Sequence, residues 1–206
     1  MADDLTRALG ASDEAAAERA ARLFAARAER EGLIDVAYAT VDSPLGPLLA
    51  LATERGLLML SYTDETVDAK LARVAARVSP RILEAPGRLD AARRELDEYF
   101  SGRRRRFGIP IDWSLISGYA RAVLEATSAI PYGGAMSYGE VSAAAGSPRG
   151  ARATGNALGS NPIPIVIPCH RVLGSGGAIG GYTGGLDRKR FLLALEAERA
   201  GRPGVR

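Results

Sequence analysis

The sequence predicts an α+β protein of two domains, a small N-terminal α/β domain with an antiparallel sheet and a C-terminal, mostly helical domain. Two observations lead to this prediction. Short apolar runs alternate with turn-forming residues between positions 34 and 62, and helical patterns interrupted by Gly and Pro follow from Ser114 onward. The predicted boundaries are 1–32 for a helical N-terminal extension, 33–112 for the first domain and 113–206 for the second.

The composition is that of an ordinary globular protein. Apolar residues make up 47% of the chain and charged residues 25%, which is enough apolar material for a core. No apolar run approaches the roughly 18 residues that would indicate a membrane helix. The first residues are acidic and lead into no apolar segment of the kind found in secretory signals. We therefore expect a cytoplasmic protein.

Basic charge is concentrated in the C-terminal half. From Ser114 to the end there are ten Lys or Arg residues and five Asp or Glu residues, whereas acidic residues outnumber basic ones before that point. Such an imbalance is what binding to nucleic acid requires. On charge alone, chance together with an Arg-rich composition is the better explanation, because the imbalance is far from the block-like basic tracts of strong binders.

The extension and the first domain are predicted in order along the chain. Residues 12–31 suit a helix that Ser12 caps and Gly32 ends. Its predicted apolar stripe consists of Ala16, Ala20, Leu23, Phe24 and Ala26. Three antiparallel strands are predicted within residues 34–62, followed by helices over 64–78 and 89–100 and a further strand over Phe107–Ile111. The arginine run 103–106 favours a solvated loop over a functional patch.

The second domain is predicted to be helical. A helix containing Tyr119 and Val123 comes first, and Ser137 and Glu140 then have the spacing of a capping box at the start of a short helix ending near Ala145. A second short helix is predicted over 149–158, which gives the outline of a helix-turn-helix. This signal is weak by itself, because helical hairpins are common in protein cores. The last helix is predicted over 186–200.

The chain contains one cysteine and one histidine, and they are adjacent, Cys169 and His170. A single cysteine excludes an internal disulfide, and the pair cannot form a structural zinc site without carboxylates. We expect a short buried strand flanked by prolines before them and a Gly-rich loop, 174–185, after them. An isolated Cys-His pair is more often inert, because a free cysteine commonly packs in the core as a small apolar residue. A cysteine reacts only as the thiolate, which needs a nearby base or positive charge. Here His170, Arg171 and Glu196 could supply and orient the necessary base.

Four segments together resemble one known family. They are Ile130-Pro131-Tyr132-Gly133, Ser137-Tyr138-Gly139-Glu140, the run from Asn161 to Val172 that contains Pro168-Cys169-His170-Arg171-Val172, and Gly180-Gly181-Tyr182-Thr183-Gly184-Gly185-Leu186. The chain resembles the O6-alkylguanine-DNA alkyltransferases, the methylated-DNA–protein cysteine methyltransferases. The resemblance is dense over 114–197 and looser over 34–112, which corresponds to the family's variable N-terminal domain.

The resemblance implies a role for each matching residue. Cys169 corresponds to the alkyl acceptor, His170 to the residue that takes its proton through a bound water, and Glu196 to the carboxylate that orients the histidine. A relay through water agrees with the expectation that neighbouring side chains on an extended segment point to opposite faces. Asn161 corresponds to the asparagine that holds the active-site turn in place. Tyr138 corresponds to the tyrosine that turns the phosphate and donates towards the purine.

The resemblance also implies DNA-binding and pocket residues. Arg152 corresponds to the arginine that fills the gap left by a flipped nucleotide, in a helix that lies in the minor groove. The small residues Ala151, Ala153 and Gly155 would allow that helix to lie close to the groove. The substrate pocket is expected at Tyr182, Thr183, Gly180, Pro164 and Val172.

The implied function is direct DNA repair. A monomer would bind double-stranded DNA containing O6-alkylguanine and transfer the alkyl group, typically methyl, to its own Cys169 after flipping the nucleotide; O4-alkylthymine is an expected second substrate. No second cysteine exists to resolve the product, so each molecule should act once, with no cofactor and no metal.

Three alternatives remain open from the residues. The first is an alkyl-lesion sensing protein without catalysis, which the presence of Cys169 disfavours because such proteins replace the acceptor. The second is a thiol hydrolase, which would need direct contact between Cys169 and His170 and a pocket for an acyl substrate. The third is a sequence-specific transcription factor, which would leave the Pro-Cys-His-Arg segment unexplained.

Overall fold

The computed structural model describes residues 16–17, 19–21, 23–147 and 149–201. Within these residues, none of the helices is both long and apolar enough to cross a membrane. The described part of the chain consists of a half built on a sheet, followed by a half built from helices.

The sheet has four strands in the order β3-β2-β1-β4. These are β1 Val36–Val41, β2 Leu48–Thr53, β3 Gly56–Tyr62 and β4 Ile82–Glu84. The first three pair antiparallel, which confirms the predicted meander. The fourth pairs parallel with β1, so the expectation of a purely antiparallel sheet is corrected to a mixed sheet. Three residues are too few to show the alternation that identifies a strand in a sequence.

Helices cover both faces of this sheet. Helix α2, Val67–Arg77, places Val74 against a cluster that contains Leu49, Leu51 and Leu58. Helix α3, Asp90–Phe100, places Leu96 and Tyr99 with the residues of the opposite face. Successive residues of β2 therefore enter different clusters, because side chains alternate across a strand.

The helix before the sheet, α1, includes the described residues 16–17, 19–21 and 23–30, whereas the predicted first residues, 12–15, lie outside the described residues. The predicted apolar stripe was wrong. Ala25 and Ala28 are buried against Ile34, Ala37 and Ala85, whereas Leu23 and Phe24 are 73% and 63% exposed. Four of the five buried residues at this contact are alanines, so small side chains form most of it and the larger ones predicted for the stripe face away.

The predicted strand at Phe107–Ile111 is reduced to one isolated bridge between Ile111 and Leu57. Leu57 N donates to Pro110 O at 2.8 Å, and Asp112 N donates to Leu57 O at 2.9 Å. Pro110 has no N–H to extend this ladder, so the segment runs beside β3 without becoming a strand.

In its described residues the C-terminal half contains four α-helices and a small parallel pair of strands. The helices are α4 Gly118–Ser128, α5 Tyr138–Ala144, α6 Ala151–Gly159 and α7 Leu186–Ala200, and the strands are β5 Met136–Ser137 and β6 Val172–Leu173. The predicted capping box is confirmed: Glu140 N donates to Ser137 Oγ at 3.2 Å, and Ser137 N donates to Glu140 Oε2 at 2.6 Å.

The buried strand expected before Cys169 was wrong. Ile167 N donates to Ile163 O at 2.9 Å, which closes a turn, and Ile165 adopts a left-handed φ of 75°. Cys169–Arg171 then form one turn of 3-10 helix. Prolines at 162, 164 and 168 remove the N–H groups that a central strand needs. Cys169 and His170 therefore do not lie on an extended segment, and the expectation that such a segment points their side chains to opposite faces no longer applies.

The two halves share one hydrophobic core. The largest cluster of buried residues combines Ala39, Leu48 and Leu60 of the sheet with Val123 and Leu192 of the helical half. The turn 163–167 and Cys169 belong to the same cluster. The segment carrying the cysteine is thus fixed between the two halves.

Candidate functional site

Cys169 is a buried, neutral thiol. It is 6% exposed, and Asn161 Nδ2 lies 3.1 Å from its Sγ as a hydrogen-bond donor. Burial raises the pKa of Cys169 to about 11, although the Asn161 hydrogen bond and the positive charge of Lys189 act in the opposite direction. Because only the thiolate is a good nucleophile, this cysteine needs a base when it reacts.

Asn161 also holds the turn that precedes the cysteine. Its Nδ2 donates to Ile167 O at 3.0 Å, and its Oδ1 accepts from Ile163 N at 3.0 Å. The same side chain therefore contacts both ends of the turn and the sulfur. These bonds oppose relaxation of Ile165, since a β-branched residue with positive φ is strained.

His170 is fully buried and paired with Glu196. Its Nε2 lies 2.9 Å from Glu196 Oε1. Burial lowers the pKa of His170, although the hydrogen bond to Glu196 raises it. The imidazole is therefore neutral at ordinary pH, and its proton lies on Nε2 because a carboxylate can only accept. That assignment leaves a lone pair on Nδ1, which is buried and meets no hydrogen-bond partner within the described residues.

Glu196 is a buried carboxylate surrounded by donors. Its Oε1 accepts from Tyr99 Oη at 2.7 Å and from Arg171 Nη2 at 2.9 Å, and its Oε2 accepts from Arg171 Nε at 2.9 Å and from Gly133 N at 3.0 Å. Burial alone would raise the pKa of Glu196, but the hydrogen bonds and charges of His170 and Arg171 outweigh it and lower that pKa well below its usual value. The carboxylate therefore keeps its charge and can stabilise a protonated His170.

Cys169 opens onto a cavity of about 290 Å³. Its wall consists of Tyr138, Gly155, Leu158, Gly159, Cys169, Gly181, Tyr182 and Thr183. The cavity thus brings together residues that sequence analysis took from three separate motifs. Tyr138 donates weakly to Gly181 O at 3.4 Å, which connects the start of α5 with the Gly-rich loop across the opening.

Three residues expected in the pocket lie outside this wall. A Cβ on Gly180 would be 2.8 Å from Tyr138 Oη, so Gly180 packs against that tyrosine. Val172 is fully buried behind the wall, and Pro164 lines a neighbouring groove with Thr183. Sequence spacing could not separate these positions, because they lie in a turn, a short strand and a loop whose directions depend on tertiary packing.

Helix α6 connects the cavity with the protein surface. Gly155 lines the cavity, while Ala151, Arg152 and Ala153 are exposed in its first turn. On the inner side Thr154 is fully buried, and its Oγ1 lies 2.8 Å from Tyr119 Oη of α4. Arg152 is therefore exposed on a fixed helix, three residues before the cavity residue Gly155.

The sequence analysis missed the wall residues Leu158 and Gly159, and it missed Tyr99 and Lys189, which hold the site from behind. Lys189 is fully buried, and its Nζ donates to Val172 O at 2.7 Å, Gly180 O at 3.2 Å and Gly181 O at 3.4 Å. It therefore ties the Gly-rich loop to the strand that follows Cys169. The available signal was its position three and four residues before the buried pair Leu192 and Leu193, which puts a lysine on the apolar face of α7.

Two family models match this chain. Residues 36–113 match the model described as "6-O-methylguanine DNA methyltransferase, ribonuclease-like domain", and residues 118–198 match "6-O-methylguanine DNA methyltransferase, DNA binding domain". The methylated-DNA–protein-cysteine methyltransferase of Mycolicibacterium paratuberculosis is 42% identical over 161 residues, which is 78% of this chain and 92% of that protein. The Methanosarcina barkeri protein of the same name is 36% identical, over 77% of this chain and 96% of its own.

Solved structures agree with these matches. The O6-methylguanine methyltransferase of Mycobacterium tuberculosis is 38% identical with a TM-score of 0.68, over 80% of this chain and 94% of that one. A structure described as Mycobacterium tuberculosis OGT in complex with DNA has 38% identity and a TM-score of 0.67, over 79% and 94% of the two chains.

Proposed function

This chain belongs to the methylated-DNA–protein-cysteine methyltransferase family, and from that membership we propose how its own residues perform the reaction. Like its relatives it has two domains, an N-terminal ribonuclease-like domain and a C-terminal DNA-binding domain. It repairs DNA by moving an alkyl group onto a cysteine of its own. We place the domain boundary at 112–113, and we propose Cys169 as the acceptor and O6-alkylguanine in duplex DNA as the substrate.

The observation that carries the residue assignment is the state of His170. Its Nε2 proton is directed to Glu196, its Nδ1 lone pair has no partner within the described residues, and the Cys169 thiol next to it is neutral. No side-chain hydrogen bond joins Cys169 and His170 among the described residues, so we propose that one water relays the proton. The thiol proton passes to the water, and a water proton passes to Nδ1.

Alkyl transfer then follows as an in-line displacement at carbon. The sulfur of Cys169 forms a bond to the alkyl carbon, the bond from that carbon to O6 breaks, and its electron pair stays on the purine. Tyr138, on the cavity wall, is the proposed donor that compensates this charge. Glu196 stabilises the imidazolium of His170, and Asn161 holds the sulfur and its turn.

The product is a thioether, which has no good leaving group, and the chain holds no other cysteine. Each molecule should therefore react once. This makes the protein a stoichiometric reagent, and we infer that its amount sets the number of lesions removed.

We propose that α5 and α6 act as a helix-turn-helix, with α6 in the minor groove. The alkylated oxygen lies inside the duplex, so the nucleotide must be flipped out at a cost of a few kcal/mol. Arg152 would fill the vacated position, and Ala151 and Ala153 would allow close approach to the groove. Readout in the minor groove is degenerate, which suits a protein that must act on damage in any sequence.

Tyr182 and Thr183 form the proposed pocket wall around the alkylated base, and Gly180, Pro164 and Val172 would shape it indirectly through their neighbours. A monomeric state, a cytoplasmic location and repair of O4-alkylthymine remain predictions.

The test is intact-protein mass spectrometry after incubation with a short duplex containing O6-methylguanine. We expect a gain of about 14 Da, one CH2, at no more than one per molecule, because methyl replaces the thiol hydrogen. The control variant Cys169→Ala should show no gain, and neither should the wild type with unmodified duplex. Tight binding to the lesion without any mass gain would indicate a damage sensor and overturn the catalytic assignment.

A further inference from the structure

Tyr62 connects the N-terminal sheet with the wall of the cavity. It ends β3, is 6% exposed, and its hydroxyl oxygen lies 2.9 Å from that of Tyr182. The two rings meet edge to face with their centroids 6.4 Å apart. Tyr182 lines the cavity onto which Cys169 opens, whereas Tyr62 does not. The hydroxyl pair therefore holds a pocket residue from a different domain.

Tyr62 is itself held at its ring and at its backbone. The guanidinium of Arg188 lies 4.2 Å from the ring centroid, and its Nη2 donates to Asp64 Oδ1 at 2.8 Å. A Cβ on Gly184 would be 2.3 Å from Tyr62 Cε2, so the Gly-rich loop lies on the ring with no space for a side chain. The buried Lys70 donates to the backbone oxygen of Tyr62.

These contacts form one connected chain from the first domain to the pocket. Arg188 Nη1 also donates to Gly184 O at 3.0 Å, so the same side chain holds both the loop and the tyrosine that the loop covers. The position of the Tyr182 ring thus depends on a residue that never reaches the cavity.

We propose that Tyr62 determines substrate size. By holding the Tyr182 hydroxyl it keeps the Tyr182 ring in place as a pocket wall, which favours small alkyl groups on the target base over bulky ones. This inference rests on the proposed function, because it assumes that the cavity at Cys169 receives the alkylated base. Tyr62 is a positioning residue in this scheme, since it acts through Tyr182.

The experiment compares rates of alkyl transfer from two duplexes of one sequence, containing O6-methylguanine or O6-benzylguanine. Using the same DNA for both substrates cancels effects on DNA binding. In Tyr62→Phe the ring keeps its packing, but the hydrogen bond to Tyr182 is lost. The ratio of the benzyl-transfer rate to the methyl-transfer rate should rise about three- to tenfold, which is the factor that the free energy of one neutral hydrogen bond corresponds to. Tyr182→Phe removes the same bond from the other side and should raise the ratio similarly. The double variant should show no larger effect than either single one.

Tyr38→Phe is the matched control, because Tyr38 is a half-buried tyrosine of β1 in the cluster on the α2 side of the sheet. It should keep the wild-type ratio. Tyr62→Phe with an unchanged ratio would overturn the inference, and so would an equal loss on both substrates together with a lower melting temperature, which indicates a merely structural role. If the wild type transfers neither group, the proposed function fails first and this inference with it.

Discussion

The feature that distinguishes the site at the scale of single residues is a charged group buried in the core. Glu196 is 1% exposed and still ionised, because Arg171, His170, Tyr99 and the Gly133 amide all donate to it. A buried ion pair seldom adds much net stability, since desolvation costs about as much as the attraction returns. Its value here is that it fixes the tautomer of His170.

Replacing Glu196 with Gln should therefore damage both folding and chemistry. The substitution leaves the Arg171 charge without its carboxylate, so we expect the free energy of unfolding to fall by on the order of 3 kcal/mol. The amide also cannot stabilise a protonated His170, and the alkyl-transfer rate should fall at least about a hundredfold. Denaturant titration and single-turnover kinetics measure the two effects.

Glu198→Gln provides the control, because Glu198 is exposed two residues further along α7. It should change neither quantity. Loss of stability without loss of rate in Glu196→Gln would show that the carboxylate is only structural.

The titration of Cys169 and His170 predicts the pH dependence of the reaction. The pKa of Cys169 is raised to about 11, so no thiolate forms at neutral pH without the base. The pKa of His170 is lowered from 6.5, so the imidazole stays free to accept a proton down to that value and below. The rate with O6-benzylguanine should be flat from about pH 7 to about pH 9 and fall only in acid. A rate rising tenfold per pH unit through neutrality would instead indicate an independently ionising thiol.

Sequence reasoning was more successful with the chemistry of individual residues than with their support. Cys169 and His170 were singled out because each is the only residue of its type in the chain, and the resemblance added Glu196 and Asn161. The structure brings these four residues together, and their catalytic roles stay predictions. Lys189 and Tyr99 were missed. The spacing of Lys189 to Leu192 and Leu193 was a signal too weak to outweigh the usual exposure of lysine, and the burial of Tyr99 depends on neighbours from other elements. Their partners are mainly backbone carbonyls and a distant carboxylate.

At the scale of elements, long periodic segments were predicted well and short ones were not. The three-stranded meander and helices α2 to α7 have the expected positions, because each shows a clear apolar period or cap. The strand β4 and the pair β5 and β6 have two or three residues each and depend on partners far along the chain. The turn before Cys169 was mistaken for a strand because apolar residues without alternation suit both.

Helix α6 illustrates how an element can be fixed for function. A hydroxyl group from each of three helices meets beneath it: Tyr119 Oη lies 2.8 Å from Thr154 Oγ1 and 3.2 Å from Ser142 Oγ. A Cβ on Gly150 would be 2.9 Å from the same tyrosine oxygen, so the turn between α5 and α6 packs directly on this network. The exposed side of α6 is thereby held in a fixed direction.

Arg152→Ala should separate duplex repair from chemistry. Arg152 is exposed on α6 and is proposed to fill the position of the flipped nucleotide. Its loss should slow repair of O6-methylguanine in duplex DNA by at least about tenfold. A tenfold loss corresponds to part of the few kcal/mol that flipping the nucleotide costs. Reaction with free O6-benzylguanine needs no extrusion and should stay within about twofold. Rates for both substrates are measured by the mass gain at Cys169.

Arg94→Ala is the charge-matched control, because Arg94 is exposed on α3 in the other half of the chain. It should leave both rates near wild type. Equal losses on duplex and free base in Arg152→Ala would argue against a role in extrusion.

At the scale of the whole molecule, the two halves are joined by a polar junction as well as by their shared core. Asp112 is 3% exposed at the point where the chain passes from one half to the other. It accepts from Arg55 Nε at 3.1 Å and from Ser114 N at 2.9 Å, and these bonds help to lower its pKa although burial acts to raise it. The sheet half therefore supports the site mechanically, through the core, this junction and the Tyr62 contact.

The shared core predicts that the two halves unfold together. The largest buried cluster takes residues from both, so unfolding either half alone would expose apolar surface of the other. Trp113, the only tryptophan, follows the junction residue Asp112, and the Arg121 guanidinium lies 5.3 Å from its ring centroid. It packs against the core cluster that both halves share, so its fluorescence serves as the probe of that core. Guanidinium titrations followed by this fluorescence and by far-ultraviolet circular dichroism should give coincident midpoints and equal slopes. A fluorescence midpoint at clearly lower denaturant concentration than the circular dichroism midpoint would mean that the halves separate before they unfold. The sheet would then support the pocket less than the contacts indicate.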